Sequence, residues 1–137
     1  MAKSDFSFHF PFRVRYSEVD GQMVVFNAHY LTYFDTALTE FFRWLPFDYM
    51  SHVQETGNDF HTVKTLVEYK APIRFDDEIE VYVKVGRLGR SSISFDLEIH
   101  LKSEDSILAS GEVVWVYTDQ TTHKSTALPE ELTSLIK

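Results

Sequence analysis

Cysteine is missing altogether from the 137 residues. That excludes disulfides, a thiol nucleophile and any zinc site built on thiolates. Positive charge is scarce: 13 Lys and Arg stand against 21 Asp and Glu, a formal net charge of −8. General nucleic-acid binding needs basic side chains to neutralise phosphates, so the balance argues against it. A phosphate-bearing small ligand stays open, because a few local cations suffice for one. Long apolar runs are also lacking. The longest, "VVWVY" at Val113–Tyr117, falls far short of the roughly 20 residues of a membrane span. The start, "MAKSDFSFHFPF", has no continuous apolar stretch of the signal-peptide kind, so the reading is a cytoplasmic protein. No repeat, no low-complexity tract and no linker rich in Pro, Gly or Ser divides the chain. Residues 1–137 therefore read as one domain.

What is present is a core. Hydrophobic residues make up 44%, with 12 Phe and 7 Tyr, as an ordered globular chain requires. "FSFHFPFRVRY" alternates Phe6, Phe8, Phe10 and Phe12 with smaller or polar neighbours, the period of a strand, and Pro11 places that strand at an edge or a bend. From Asn27 to Leu45 the spacing of Tyr30, Phe34, Ala37, Leu38, Phe41 and Leu45 is helical, and Leu31 and Phe42 widen the stripe. Asn27 suits the N-cap and Pro46 the stop. Residues 46–60 read as loop or short helix. Four strands are then expected: "FHTVKTLVEYKA", "EIEVYVKV", "SISFDLEIHL" and "ILASGEVVWVYTD". Short gaps between the later ones imply antiparallel hairpins. A last helical turn is expected around Pro129–Ile136. A helix apolar on most sides needs a surface to cover it. The order strand, helix, four strands thus predicts an α+β fold, an antiparallel sheet wrapped around the helix.

Two stretches can carry chemistry. Asp20 precedes the expected helix start by a short loop. The first turn of a helix has unpaired N–H groups and partial positive charge, suited to an oxyanion. A carboxylate facing that turn can activate water, or attack directly, while the amides hold a tetrahedral oxyanion. Asp20-Gly21 is equally a common turn pair, and spacing alone leaves both readings open. In "RLGRSS", Arg87, Arg90, Ser91 and Ser92 can grip phosphates, or form an ordinary polar hairpin. The six histidines show no metal-ligand spacing, so no metal is expected. No Gly-x-Ser-x-Gly elbow occurs.

"SEVDGQMVVFNAHYLTYFD" resembles the signature of hotdog-fold acyl-CoA thioesterases of the 4-hydroxybenzoyl-CoA thioesterase type, roughly E-x-D-x-x-G-x-V-x-[NH]-x-x-Y-x-x-[YW]-F-[DE]. Glu18, Asp20, Val25, Asn27, Tyr30, Tyr33, Phe34 and Asp35 match in register. The resemblance continues through "VEYKAPIRFDDEIEV" and "GRLGRSSISFDLEI". It implies a hotdog fold, five antiparallel strands around a long central helix. It also implies hydrolysis of an acyl-CoA thioester, with Asp20 as base or nucleophile and Asn27 where the family polarises the thioester carbonyl with a backbone N–H. CoA contacts are implied at Arg87, Arg90, Ser91 and Ser92. The resemblance also implies that one flank of the helix borders the acyl pocket, which makes Tyr30 and Phe34 the expected substrate contacts there. No cofactor is implied, since CoA is part of the substrate. The implied assembly is a homodimer joined sheet edge to sheet edge, with a tetramer as the larger form.

Met23 stands where the family usually has Gly. Either it reshapes the pocket or Gly21 takes over the flexible role. Two alternatives stay beside hydrolysis of an acyl-CoA. One is a thioesterase acting on acyl-carrier protein, which a negative surface suits poorly. The other is a silent acyl-CoA-binding module.

Overall fold

A computed structural model describes residues 3–136, so both ends of the 1–137 domain reading lie outside it. In chain order the elements are β1 (Phe8–Arg13), α1 (His29–Trp44), α2 (Tyr49–Thr56), β2 (Asn58–Tyr69), β3 (Glu78–Leu88), β4 (Ser92–Leu101), β5 (Ile107–Asp119) and α3 (Glu130–Thr133). The strands form one antiparallel sheet in the order β1-β3-β4-β5-β2. Pro11 lies in β1, at an edge of that sheet, where a strand tolerates the missing donor.

The sheet curls around α1 as a hotdog. Phe34, Ala37 and Leu38 on the helix are completely buried, and so are Val81, Val83, Ile93, Phe95, Ile99 and Ala109 on the strands. The period of two in β4 explains this division: Ile93, Phe95, Leu97 and Ile99 turn inward, while Ser94 and Asp96 stay partly exposed on the other face. Burying this many large apolar side chains, each contributing roughly 1.5–3 kcal/mol, is the main term holding helix to sheet.

The helix begins later than the sequence predicts, and Asn27 is not its cap. Ala28 is the N-cap residue, with αR dihedrals and no side-chain cap bond. The Phe26 carbonyl accepts the His29 N–H at 2.9 Å and the Asn27 carbonyl accepts that of Tyr30 at 3.3 Å. The chain thus enters α1 through overlapping tight turns, not through the extended residue that a capping side chain needs. In residues 46–60, α2 is a true helix. The Asp48 carboxylate caps the Ser51 amide at 3.2 Å, and Gly57 closes the helix at φ +72°.

Pairing across the sheet gives the molecule two ends. Val81, Ile99, Ala109 and Tyr69 stand in one row, and Leu88, Ile93, Trp115 and Thr62 in another. The six residue steps from Ile93 to Ile99 separate the rows by about 20 Å.

Candidate active site

Asp20 sits in a small hairpin stitched to the loop before β3. Val19 bridges Val25, and Val24 bridges Arg74. The Asp20 amide donates to the Val24 carbonyl at 2.9 Å, and the Met23 amide returns to the Asp20 carbonyl at 2.9 Å. Asp20 Oδ1 accepts the Gln22 amide at 2.8 Å. The turn reading of Asp20-Gly21 is therefore right. The same turn fixes the half-buried carboxylate by one oxygen and leaves Oδ2 with no partner among the described residues. The left-handed conformation in this loop falls on Met23, at φ +62°, and not on Gly21.

Glu18 anchors the hairpin, a role that sequence reasoning did not assign. Its side chain is buried and accepts from the Arg15 amide at 2.8 Å, the Arg15 guanidinium at 3.0 and 3.1 Å, and the Tyr33 hydroxyl of α1 at 2.9 Å. Burial alone would raise its carboxyl, but these donors outweigh burial and hold it below its ordinary value. The Tyr33 hydroxyl is pushed well up, by burial first and then by Glu18. The Glu18 carbonyl also accepts the Phe26 N–H at 2.9 Å. One residue thus ties both strands of the loop to the helix.

Past Phe26, the amides of Asn27 and Ala28 donate to nothing among the described residues. They are the open N–H groups of the turn that leads into α1. The Asn27 side chain is exposed and has no hydrogen-bond partner among the described residues. Along the same helix Tyr30 meets the Tyr69 ring edge-on at 4.8 Å, and Phe34 lies against Gly111 of β5. Both are closed off from solvent in the single chain.

The turn from Arg87 to Ser92 lies elsewhere. Asp20 belongs to the end where β3 begins, and this turn to the end where β3 stops. Its backbone is well tied: Ser91 and Arg90 carbonyls accept the Tyr117 and Leu128 amides, each at 2.8 Å. Arg87 and Ser92 share a cavity of about 350 Å³ with Lys64, Ser94, Asp96 and Glu112, which Arg90 and Ser91 do not border. Lys64 is paired with Glu112 at 2.8 Å. A second cavity, about 800 Å³, opens between α1, α2, β2 and β5, with Phe42, Phe60 and Trp115 among its walls and Asp35 and Arg43 among its polar groups. Burial raises the Asp35 carboxyl above its ordinary value. Sequence reasoning missed this cavity, because its walls come from four elements. No group of His, Asp and Glu among the described residues is arranged to hold a metal. No helix there is long and apolar enough to cross a membrane.

The chain is similar to known proteins over nearly its whole length. It is 32% identical over 130 residues to the acyl-CoA thioester hydrolase YbgC of Escherichia coli, covering 95% of this chain and 96% of that one. It is 33% identical over 129 residues to the acyl-CoA thioesterase YbgC of Haemophilus influenzae, with 93% of each covered. Its fold superposes on a 1,4-dihydroxy-2-naphthoyl-CoA thioesterase from Synechocystis with a TM-score of 0.88, at 18% identity and 94% coverage of each chain. The family model of the thioesterase-like superfamily matches residues 14–136. The chain belongs to the thioesterase-like superfamily.

Proposed function

We propose that this protein hydrolyses acyl-CoA thioesters to a carboxylic acid and CoA. The observation that carries the reading is Asp20: a carboxylate with one oxygen fixed and one open, on the loop that leads to the unpaired amides of Asn27 and Ala28. Asp20 acts as base toward water, or as nucleophile through an anhydride, and the Asn27 amide receives the oxyanion. Relatives named as acyl-CoA thioester hydrolases support the substrate class.

The working unit in this reading is a homodimer, itself able to build a tetramer. β2 is an edge strand whose side chains are largely exposed, Val63, Leu66 and Tyr69 among them. A long edge of this kind invites pairing. Two copies joined antiparallel along β2 bring the Arg87–Ser92 end of one beside the Asp20 end of the other, which a single chain keeps apart. Arg87, Arg90, Ser91 and Ser92 then serve the CoA of the partner's site. Tyr30 and Phe34 stand behind the acyl group. No cofactor enters, because CoA is carried by the substrate.

The test is release of free CoA from a panel of short, long and aromatic acyl-CoAs, beside the matching acyl-carrier-protein thioesters. Turnover of the CoA series is expected. Turnover of the carrier thioesters alone moves the substrate class. Binding of acyl-CoA with no turnover of any thioester makes the protein a silent binding module.

A further inference from the structure

Met23 occupies a backbone position that disfavours side chains. Its φ of +62° is left-handed, and it ends the Asp20–Met23 turn just before the chain pairs again at Val24. Hairpin turns of this form usually place glycine there, because a Cβ is strained in that conformation. Gly21, two residues earlier, does not relieve it. Nor does core packing offset the strain, because Met23 is 42% exposed.

Exposed aromatic side chains also occur on the neighbouring segments. Phe26, Phe75 and Tyr16 are all exposed, the Tyr16 and Phe75 rings meet edge-on at 5.8 Å, and the Met23 carbonyl accepts the Phe75 amide at 3.1 Å. Polar side chains would serve solvent better around an isolated turn. An exposed methionine with a strained backbone, its amide hydrogen-bonded to the Asp20 carbonyl, is placed for contact with a ligand. Methionine suits an apolar chain of variable shape, being unbranched and polarizable.

We infer that Met23 is a specificity-determining residue: its thioether packs on the acyl chain beside Asp20 and favours longer apolar acyl groups over acetyl. The inference rests on the reading of Asp20 as the catalytic carboxylate. The position combines a local cost with substrate contact, so removing the side chain separates the two.

The experiment compares full-length wild type, Met23→Gly and Met23→Ala on octanoyl-CoA and acetyl-CoA, with thermal melts and size-exclusion profiles of each. Met23→Gly is expected to melt at or above wild type, while its octanoyl-to-acetyl ratio of kcat/KM falls about tenfold. Met23→Ala keeps the positive φ, so it should lose the same selectivity without the gain in Tm. An unchanged ratio in both variants overturns the inference, and so does a changed oligomer size with the ratio intact, which would assign Met23 to a subunit contact. If wild type hydrolyses neither thioester, the hydrolytic reading fails separately. Binding of the thioether octyl-CoA against free CoA then decides for Met23. An about tenfold selective loss in Met23→Gly supports the contact, and equal binding overturns it.

Discussion

Gly111→Ala tests a close approach between helix and sheet. Gly111 lies in β5 opposite Phe34, and a Cβ built there would stand 2.3 Å from Phe34 Cε2, 2.6 Å from Cζ and 2.8 Å from the Leu66 carbonyl oxygen. Ordinary carbon contacts lie near 3.5–4.0 Å, so the ring must retreat by more than 1 Å. Phe34 has nowhere easy to go, being completely buried, and the Leu66 oxygen belongs to the neighbouring strand β2, paired with β5. Overpacking of this kind costs roughly 1–3 kcal/mol, and blocked relief on two sides puts this site at about 3. At about 4 °C per kcal/mol for a domain of this size, Tm should fall by roughly 12 °C. Urea denaturation of wild type, Gly111→Ala, Phe34→Leu and the double variant measures it. Trimming the ring should restore at least about 1 kcal/mol of the alanine penalty. A Gly111→Ala protein within about 0.5 kcal/mol of wild type, or a double variant that is simply additive, would refute this account of how α1 seats on the sheet.

Glu18→Gln should destabilise the protein by about 1–2 kcal/mol near neutral pH, because a buried charged acceptor of several donors is lost. The Glu18 pKa is depressed on folding, so its contribution is present above the unfolded value near 4.5 and disappears as pH falls through the folded value. Melts of wild type and Glu18→Gln should therefore converge as the pH is taken below 4.5, and a constant gap would contradict the assignment. Tyr49→Phe removes the hydroxyl that donates to Asp59 and pins α2 to the start of β2. A loss of about 1 kcal/mol is expected in urea denaturation, and no loss would mean that the bond contributes nothing net. Asn27→Ala keeps the backbone amide and Asn27→Pro deletes it. In steady-state thiol release, kcat should fall by roughly 10²–10³ in the proline variant and far less in alanine, and equal effects would shift the donor to the side chain.

The strands and α1 were legible because their periods are strong and uninterrupted. β4 alternates along its length, and the α1 stripe repeats through Phe41, so the wrapped α+β arrangement followed before any pairing was known. α2 was not, since "YMSHVQET" has few apolar residues and its cap at Asp48 acts locally. The cap of α1 was misplaced because Asn27 has the right side chain, while the backbone turn through Phe26 and His29 is fixed by tertiary contacts of the Glu18 loop. Spacing alone left Asp20 open between a turn and a working carboxylate, and only the resemblance to the thioesterase signature pointed to the second. Met23 shows the complement: the resemblance marked it as a departure from glycine, but only the backbone angle showed that the strain stays at that position. The separation of Asp20 from the Arg87–Ser92 turn follows from strand direction, which no local motif encodes.

In the proposed mechanism the Asp20 carboxylate drives the hydrolysis. The most direct measurement is the rate of CoA release from a substrate turned over by wild type, repeated with Asp20→Asn, alongside circular dichroism and binding of that acyl-CoA. The expected result is an intact fold, retained binding and a kcat lower by at least about 10². An Asp20→Asn protein that turns over at the wild-type rate would contradict it.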